Sequence, residues 1–490
     1  MFESLPFETF DQLAGEGCRV PVTRRIPADL ITPVSAFRSL AEPGAGAFLL
    51  ESTEGEGDVG RYSFLGFDPK IRFRAAGGES VIVEGMEEVR KEGQPLQVLR
   101  HLLARFRTVR VEGLPPLVGG AVGFMAYDAV RLFERIPDRH PNEEAIPDLS
   151  FGLYDTVLSF DHFRKTVTVT HVVDPGTDPK AAYEEGMARI GGVISKMLAA
   201  PLNLGSPAGR GEDDGVVEAD MDDAAYAKAV ARAKEYIAAG DVFQVVLSRR
   251  FRRMCSVPPF DVYRALRMVN PSPYMFYLQD ENGAVAGSSP ERLVRAEDGL
   301  VETMPIAGTR PRGVGEEDLR LERELLSDPK EKSEHMMLVD LARNDIGRIS
   351  DPGTVEVTEL AGVQRLSKVM HLVSRVKGRL REDLDGLDGL EAAMPAGTLS
   401  GAPKIRAMEI IDELETSRRG VYGGAVCYVD NRGNTDSCIA IRMASVRNGR
   451  VTVRAGAGIV HDSVPEREAQ ETLDKASAVL EAVRLAEEGL

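Results

Sequence analysis

The sequence predicts an α+β fold built on antiparallel sheet, and three stretches carry that prediction. Residues 46–84 alternate short apolar runs (AFLLES, RYSFLGF, IRFRA, VIVEG) with Gly and Asp punctuation, the pattern of strands joined by tight turns. LYDTVLSFDHFRKTVTVTHVV at 153–173 reads as a strand pair around a polar turn. Near the end, SCIAIRMASV and VTVRAGAGIV flank Asn448-Gly449, a dipeptide that favours a two-residue hairpin. Helical stretches fall between groups of strands, so this is not a repeated βαβ pattern.

In chain order, the sheet-rich first part closes with a helical stretch near 180–199. PLNLGSPAGRGEDDG at 201–215 follows, dense in Gly, Pro, Ser and Asp, and then the alanine-rich helix DDAAYAKAVARAKEYIAAGD. The composition shift divides the chain into an N-terminal sheet-rich domain at 1–200, a linker at 201–218 and a second domain at 219–490. A length of 490 residues supports two domains with a large buried core.

Composition excludes several classes of function. With 60 basic against 77 acidic residues the net charge is −17, which repels phosphate backbones and argues against a nucleic-acid partner. The 4 cysteines, at 18, 255, 427 and 438, form no CxxC or other metal spacing and are too sparse for a disulfide framework, as expected in a reducing cytoplasm. MFESLPFETFDQ has no basic n-region or apolar core, and the chain lacks an apolar run long enough for a membrane span, so neither export nor membrane insertion is expected. The sequence contains 0 tryptophans, a composition that many chains reach by chance.

Two carboxylate pairs at i,i+3 spacing stand out. Glu331 and Glu334 lie in SDPKEKSEHMMLVDLARND, Glu468 and Glu471 in DSVPEREAQETLDKASAVL, and each pair follows a proline-marked helix start. Glu334, Leu338, Leu341 and Asp345 share one stripe, which puts carboxylates on the helix's apolar side, where they need a cation or hydrogen-bond donors. Oxygen ligands without nearby Cys or His pairs favour magnesium or calcium over zinc. Solvated helix surface is the alternative, and Lys475 can pair with Glu471 at i+4.

Other motifs leave alternatives open. PAGTLSGAPKIR places Gly397, Thr398, Ser400 and Gly401 before a Pro-started helix carrying Lys404 and Arg406, a weak anion-binding pattern. Neither a Walker loop nor a dinucleotide fingerprint is present. Gly456 and Gly458, at a strand end, expose backbone to a ligand or mark a bulge. Arg442, between Ile441 and Met443 in an expected buried strand, seeks a carboxylate or phosphate, from a ligand or a structural salt bridge. His371 in KVMHLVSRVKGRL is either a satisfied core residue or a general base. Lys332, three residues before His335, rules out a ferritin-like Glu-x-x-His pair, and no GxSxG elbow or nucleophilic cysteine signature appears.

In order, PIAGTRPRG at 305–313, SEHMMLVDLARND, MHLVSRV, PAGTLSGAPK, RRGVYGG, CIAIR and GAGIVHDSVPEREAQE form a series that closely resembles the chorismate-utilising enzymes, strongly over roughly residues 225–485. LLES (49–52), RYSFLG (61–66) and NPSPYMFYL (270–278) extend the resemblance to the aminating subunits, component I, of anthranilate synthases.

The resemblance implies packed antiparallel sheets covered by helices, and conversion of chorismate and ammonia to anthranilate and pyruvate, the first committed step of tryptophan biosynthesis. It implies Mg2+ held by Glu334 and Glu471 with support from Glu331 and Glu468, and substrate contacts at Gly308, Thr309, Tyr422, Arg442, Gly456, Ala457 and Gly458. His371 and Thr398 would stabilise or protonate departing oxygens. LLES and NPSPYM would line a feedback site for L-tryptophan formed by Glu51, Ser52, Pro273, Tyr274 and Met275, with Val426 and Tyr428 nearby. Hydroxylating relatives typically carry a lysine where this chain has Gln244, and aminodeoxychorismate synthases usually carry one in place of Ala307. Aminodeoxychorismate synthase component I is therefore the second choice, and a non-catalytic tryptophan-sensing subunit the third. With the chain ending at Leu490 and no Cys-His-Glu site, ammonia is expected from solution or from a glutamine amidotransferase partner, component II, in a heterotetramer.

Overall fold

In the computed structural model, which describes residues 3–15, 18–52, 60–199, 216–366 and 369–490, the strands gather into two antiparallel sheets. Among the described residues one has 13 strands and the other 12. In the first, Ala47–Glu51 lies between Tyr62–Phe67 and Tyr274–Asp280, and the sheet continues through Gly283–Ser289, Met443–Arg447 and Arg450–Ile459 to Gln244–Met254. In the second, Ile306–Pro311 pairs with Val369–Arg379, and the sheet passes through Arg292–Glu297, Thr435–Ile439 and Ala425–Asp430 to Gly120–Met125 and beyond.

Apolar residues on the facing sides decide the layering. Phe48, Phe64, Phe276, Val285 and Met443 of the first sheet meet Phe124, Tyr154, Val426 and Tyr428 of the second. Outside this inter-sheet core, helices including Pro179–Ala199, Pro259–Val269 and Pro465–Glu488 cover the first sheet, while Pro95–Ala104 and Pro329–Gly347 cover the second. The expected fold of packed antiparallel sheets with helical covers is what the chain forms. Because both sheets take strands from before residue 200 and after residue 218, the two expected parts are interleaved. Residues 201–215 of the expected linker lie outside the described residues.

Local expectations hold where a short-range signal was strong. Asn448 (φ 51°) and Gly449 (φ 70°) join Met443–Arg447 to Arg450–Ile459, the paired left-handed residues of a type I′ turn. Pro329–Gly347 starts behind Asp328, whose carboxylate accepts from the N–H groups of Lys330 and Glu331, and Pro465 opens the last helix. Arg442 departs from expectation. It sits outside any strand, in the bend before Met443–Arg447, with φ 51°. That left-handed backbone is unfavourable for a side chain and turns the guanidinium away from the sheet's alternation.

Candidate active site

A cavity of about 390 Å³ opens where the ends of both sheets meet the Pro329–Gly347 and Pro465–Glu488 helices. It is lined by Glu334, Glu468 and Glu471 from those helices, Gly308, Thr309 and His371 from the second sheet, Gly456 and Gly458 from the first, and Thr398, Tyr422 and Arg442 from connecting turns. Two residues expected here stand apart from its walls. The Glu331 carboxylate is taken by Arg310 at 2.9 Å, and the Ala457 side chain packs with Tyr226, Val245 and Ile410 under the helices.

The carboxylates crowd one another. Burial raises the pKa of Glu334, and the charges of Glu331 and Glu471 raise it further; burial and the Glu471 charge do the same to Glu468. Lys475, 2.5 Å from Glu471, offsets part of this, as the i+4 spacing suggested. Among the described residues no three carboxylates, imidazoles or thiolates stand at ligating separation of a single point. Two or three mutually repelling oxygen donors in an open cavity fit magnesium, which keeps several positions for water and substrate, better than a closed structural site.

The glycines are held in place by close contacts. Gly456 and Gly458 pair with Ser248 and Val246 in unbroken register, which removes the bulge alternative. A Cβ at Gly456 would stand 2.6 Å from the Leu247 carbonyl oxygen, and one at Gly458 2.7 Å from Gln244 Nε2. Gly308 has φ 64°, with Glu331 and Leu325 within 2.9 Å of where a side chain would begin. Here the backbone itself forms cavity wall.

Arg442 is half-buried, with Nη1 donating to the Lys475 carbonyl at 3.1 Å. Burial lowers its pKa against the weaker pull of Tyr422 and Glu471, so an anionic ligand group would relieve it. His371 Nδ1 lies 3.0 Å from the Gly308 carbonyl oxygen and 3.1 Å from Thr309 Oγ1. Donation from Nδ1 to that carbonyl leaves the Nε2 lone pair free, and burial lowers the ring's pKa, keeping it neutral and basic at pH 7.

Sequence reasoning missed Glu291. It is half-buried, opens onto this cavity, and accepts a hydrogen bond from Thr398 Oγ1 at 3.1 Å. Enclosure by protein pushes its carboxyl up to about 8, so it holds a proton at neutral pH. A single Glu after Ser-Ser-Pro has no second carboxylate at i+3 or i+4 to mark it. Gln244 also reaches the cavity, where its side chain partly offsets the rise in the pKa of Glu334, and its buried Oε1 has no protein partner. The anion site suggested for Lys404 and Arg406 does not form, because Lys404 pairs with Asp345 at 2.7 Å and Arg406 with Asp241 at 2.6 Å.

A second cavity, of about 350 Å³, lies between the sheets and shares no lining residue with the first. Glu51, Ser52, Pro273, Tyr274, Met275, Val426 and Tyr428 all line it, and the pairing of Met275 with Glu51 brings LLES and NPSPYM side by side. Arg292, missed from sequence, enters the same cavity and donates to Tyr274 Oη at 2.7 Å and Glu302 at 2.5 Å.

A family model described as chorismate binding enzyme matches residues 46–481. The chain is 44% identical over 475 residues to anthranilate synthase component 1 of Acetivibrio thermocellus, with 96% of each chain covered. It is 45% identical over 492 residues to the protein of that name from Pseudomonas aeruginosa, with 99% of each covered. Among solved structures, anthranilate synthase component I from Streptococcus pneumoniae superposes with a TM-score of 0.76 at 36% identity, covering 93% of this chain and 99% of that one. A menaquinone-specific isochorismate synthase from Escherichia coli, at 21% identity and a TM-score of 0.70, covers 98% and 99% and shares the fold.

Proposed function

Since this chain belongs to the chorismate binding enzymes, we propose that it is the aminating component of an anthranilate synthase, converting chorismate and ammonia to anthranilate, pyruvate and water. The observation that carries the reading is one cavity holding a carboxyl kept protonated, Glu291, together with an imidazole kept neutral, His371. Such a split of acid and base is what substitution followed by elimination requires.

Arg442 and the exposed backbone at Gly456 and Gly458 bind the substrate's carboxylates, and Tyr422 closes the floor. The ammonia nitrogen bonds to C2 as the ring double bonds shift and the C4–O bond breaks, with Glu291 giving its proton so that the oxygen leaves as water. His371 Nε2 then takes the C2 proton, the C3–O bond breaks, and enolpyruvate leaves to become pyruvate as the ring aromatises. Glu334, Glu468 and Glu471 would hold Mg2+, which supplies positive charge opposite the substrate carboxylate. Gln244 cannot serve as a base to activate water, and Ala307 offers no side-chain nucleophile, both of which favour free ammonia as the attacking group.

Three further parts belong to this reading. Ammonia comes from a glutamine amidotransferase subunit in a heterotetramer, the role implied by the component 1 naming of the relatives. L-Tryptophan occupies the inter-sheet cavity and inhibits from there, a coupling between two sites. The protein works in the cytoplasm; among the described residues no helix is long and apolar enough to cross a membrane. The test is fluorescence-detected anthranilate formation from chorismate and ammonium, with and without magnesium and with added tryptophan. Magnesium-dependent, tryptophan-inhibited product is the expected result, and no product from the folded protein would sink the proposal.

A further inference from the structure

The RRGVYGG segment contains a buried cation that the reaction scheme leaves unused. Arg419 is 6% exposed and is locked by Glu415, with Nε and Nη2 donating to that carboxylate, the shortest contact at 2.6 Å. Its two remaining bonds reach across the cavity's floor. Nη1 donates to the Leu399 carbonyl at 2.5 Å, and Nη2 also donates to the Val246 carbonyl at 2.7 Å. Leu399 follows Thr398, the donor to Glu291, and Val246 lies opposite Gly458 in the sheet. The guanidinium stands over the Tyr127 ring at 4.5 Å and near the Tyr422 ring at 5.9 Å. Glu415 is pinned in turn by the Ser248 N–H at 2.7 Å, the Ser248 hydroxyl at 2.8 Å and Arg454 Nη1 at 3.1 Å.

We propose that Arg419, held by Glu415, is a positioning residue of the catalytic cavity: it fixes the Leu399 and Val246 carbonyls relative to each other and thereby seats Thr398 on Glu291. Only a planar fork with five donors serves a carboxylate and two carbonyls on different elements at once; a lysine ammonium, as a point charge, cannot span them. Arg419 touches neither substrate nor reacting atoms. Its effect on the chemistry runs through the Gly397–Ser400 turn, whose hydroxyl holds the proton donor.

The inference rests on the function proposed above, and its test keeps the two separable. The dependence of kcat on pH is measured at saturating chorismate and ammonium for the wild type, Thr398→Val, Arg419→Lys and Glu415→Gln. The hydrogen bond from Thr398 lowers the proton affinity of Glu291, so its loss moves the alkaline limb of the profile to higher pH. Arg419→Lys should show that same displacement, a kcat about 10- to 100-fold lower and a KM for chorismate little changed, as expected for a misplaced catalytic group. Glu415→Gln, which keeps the volume and one acceptor oxygen, should shift the limb the same way by less, and it carries the test if Arg419→Lys does not fold. An alkaline limb that stays at the wild-type position in either the arginine or the glutamate variant while thermal stability and chorismate KM both worsen would mean a purely structural role. An unmoved limb in Thr398→Val would also overturn the inference. An inactive wild type would overturn the functional reading instead.

Discussion

In the cavity at the sheet ends, Glu334, Glu468 and Glu471 repel one another, Glu291 keeps its proton, and the half-buried Arg442 has no carboxylate at bonding distance among the described residues. The inter-sheet cavity is settled differently. Glu51, 4% exposed, accepts from Tyr263 Oη at 2.7 Å and lies 2.8 Å from Arg267 Nε, and Arg292 is satisfied by Tyr274 and Glu302. Unbalanced charge stores the capacity to hold a cation, bind an anion or move a proton, and it is maintained only because the surrounding packing supports it. Balanced charge gives a rigid, selective pocket that recognises a ligand without transforming it. Glu291 and Arg292 are adjacent in sequence yet serve different cavities, so one strand start touches both.

The comparison breaks if damage to one cavity spreads to the other. Glu291→Gln should lower kcat by about 10²- to 10⁴-fold, the usual contribution of a general acid, while tryptophan affinity measured by calorimetry stays at the wild-type value. Glu334→Gln removes one of the crowded negative charges and leaves a neutral amide oxygen in its place. Calorimetric titration should then show magnesium bound roughly 10- to 100-fold more weakly, and activity should need correspondingly more metal. In the other cavity, Ser52→Phe overfills the space between the sheets. Strain of about 1–3 kcal/mol predicts tryptophan inhibition weakened roughly 5- to 150-fold with kcat preserved, and unchanged inhibition would remove Ser52 from the site.

The smallest effect concerns pH. Glu291 must be protonated to act, so kcat should fall by about tenfold per pH unit above its pKa of about 8. The same raised pKa makes its contribution to stability greatest below the ordinary glutamate value of 4.5, lost as pH rises through about 8. Glu291→Gln should therefore gain stability relative to wild type between about pH 5 and about pH 9, measured by thermal unfolding. A constant difference across that range would mean that Glu291 is ionised in the folded protein.

Features coded by neighbours in the chain were legible without a structure. Apolar alternation gave strands, Asn448-Gly449 its turn, and Pro329 and Pro465 their helix starts, because each depends on φ/ψ preferences or on a side-chain period within a few residues. The i,i+3 carboxylates were legible for the same reason. The ordered motifs went further and located His371, Arg442, the glycines and every expected wall residue of the inter-sheet cavity.

Tertiary packing decided the rest. Glu291 becomes an acid only because segments distant in sequence enclose it, and Arg419 acts only where Glu415, Leu399 and Val246 converge. Lys404 and Arg406 look like anion ligands in the chain, yet the fold supplies Asp345 and Asp241 to neutralise them. Desolvation and charge pairing depend on everything within several ångströms in space, whereas a sequence motif records only what lies nearby along the backbone. By itself the sequence determined the elements, the fold class and the set of groups available. Which of those groups are left unbalanced, and hence where chemistry takes place, was decided by how the two sheets and their helices close around them.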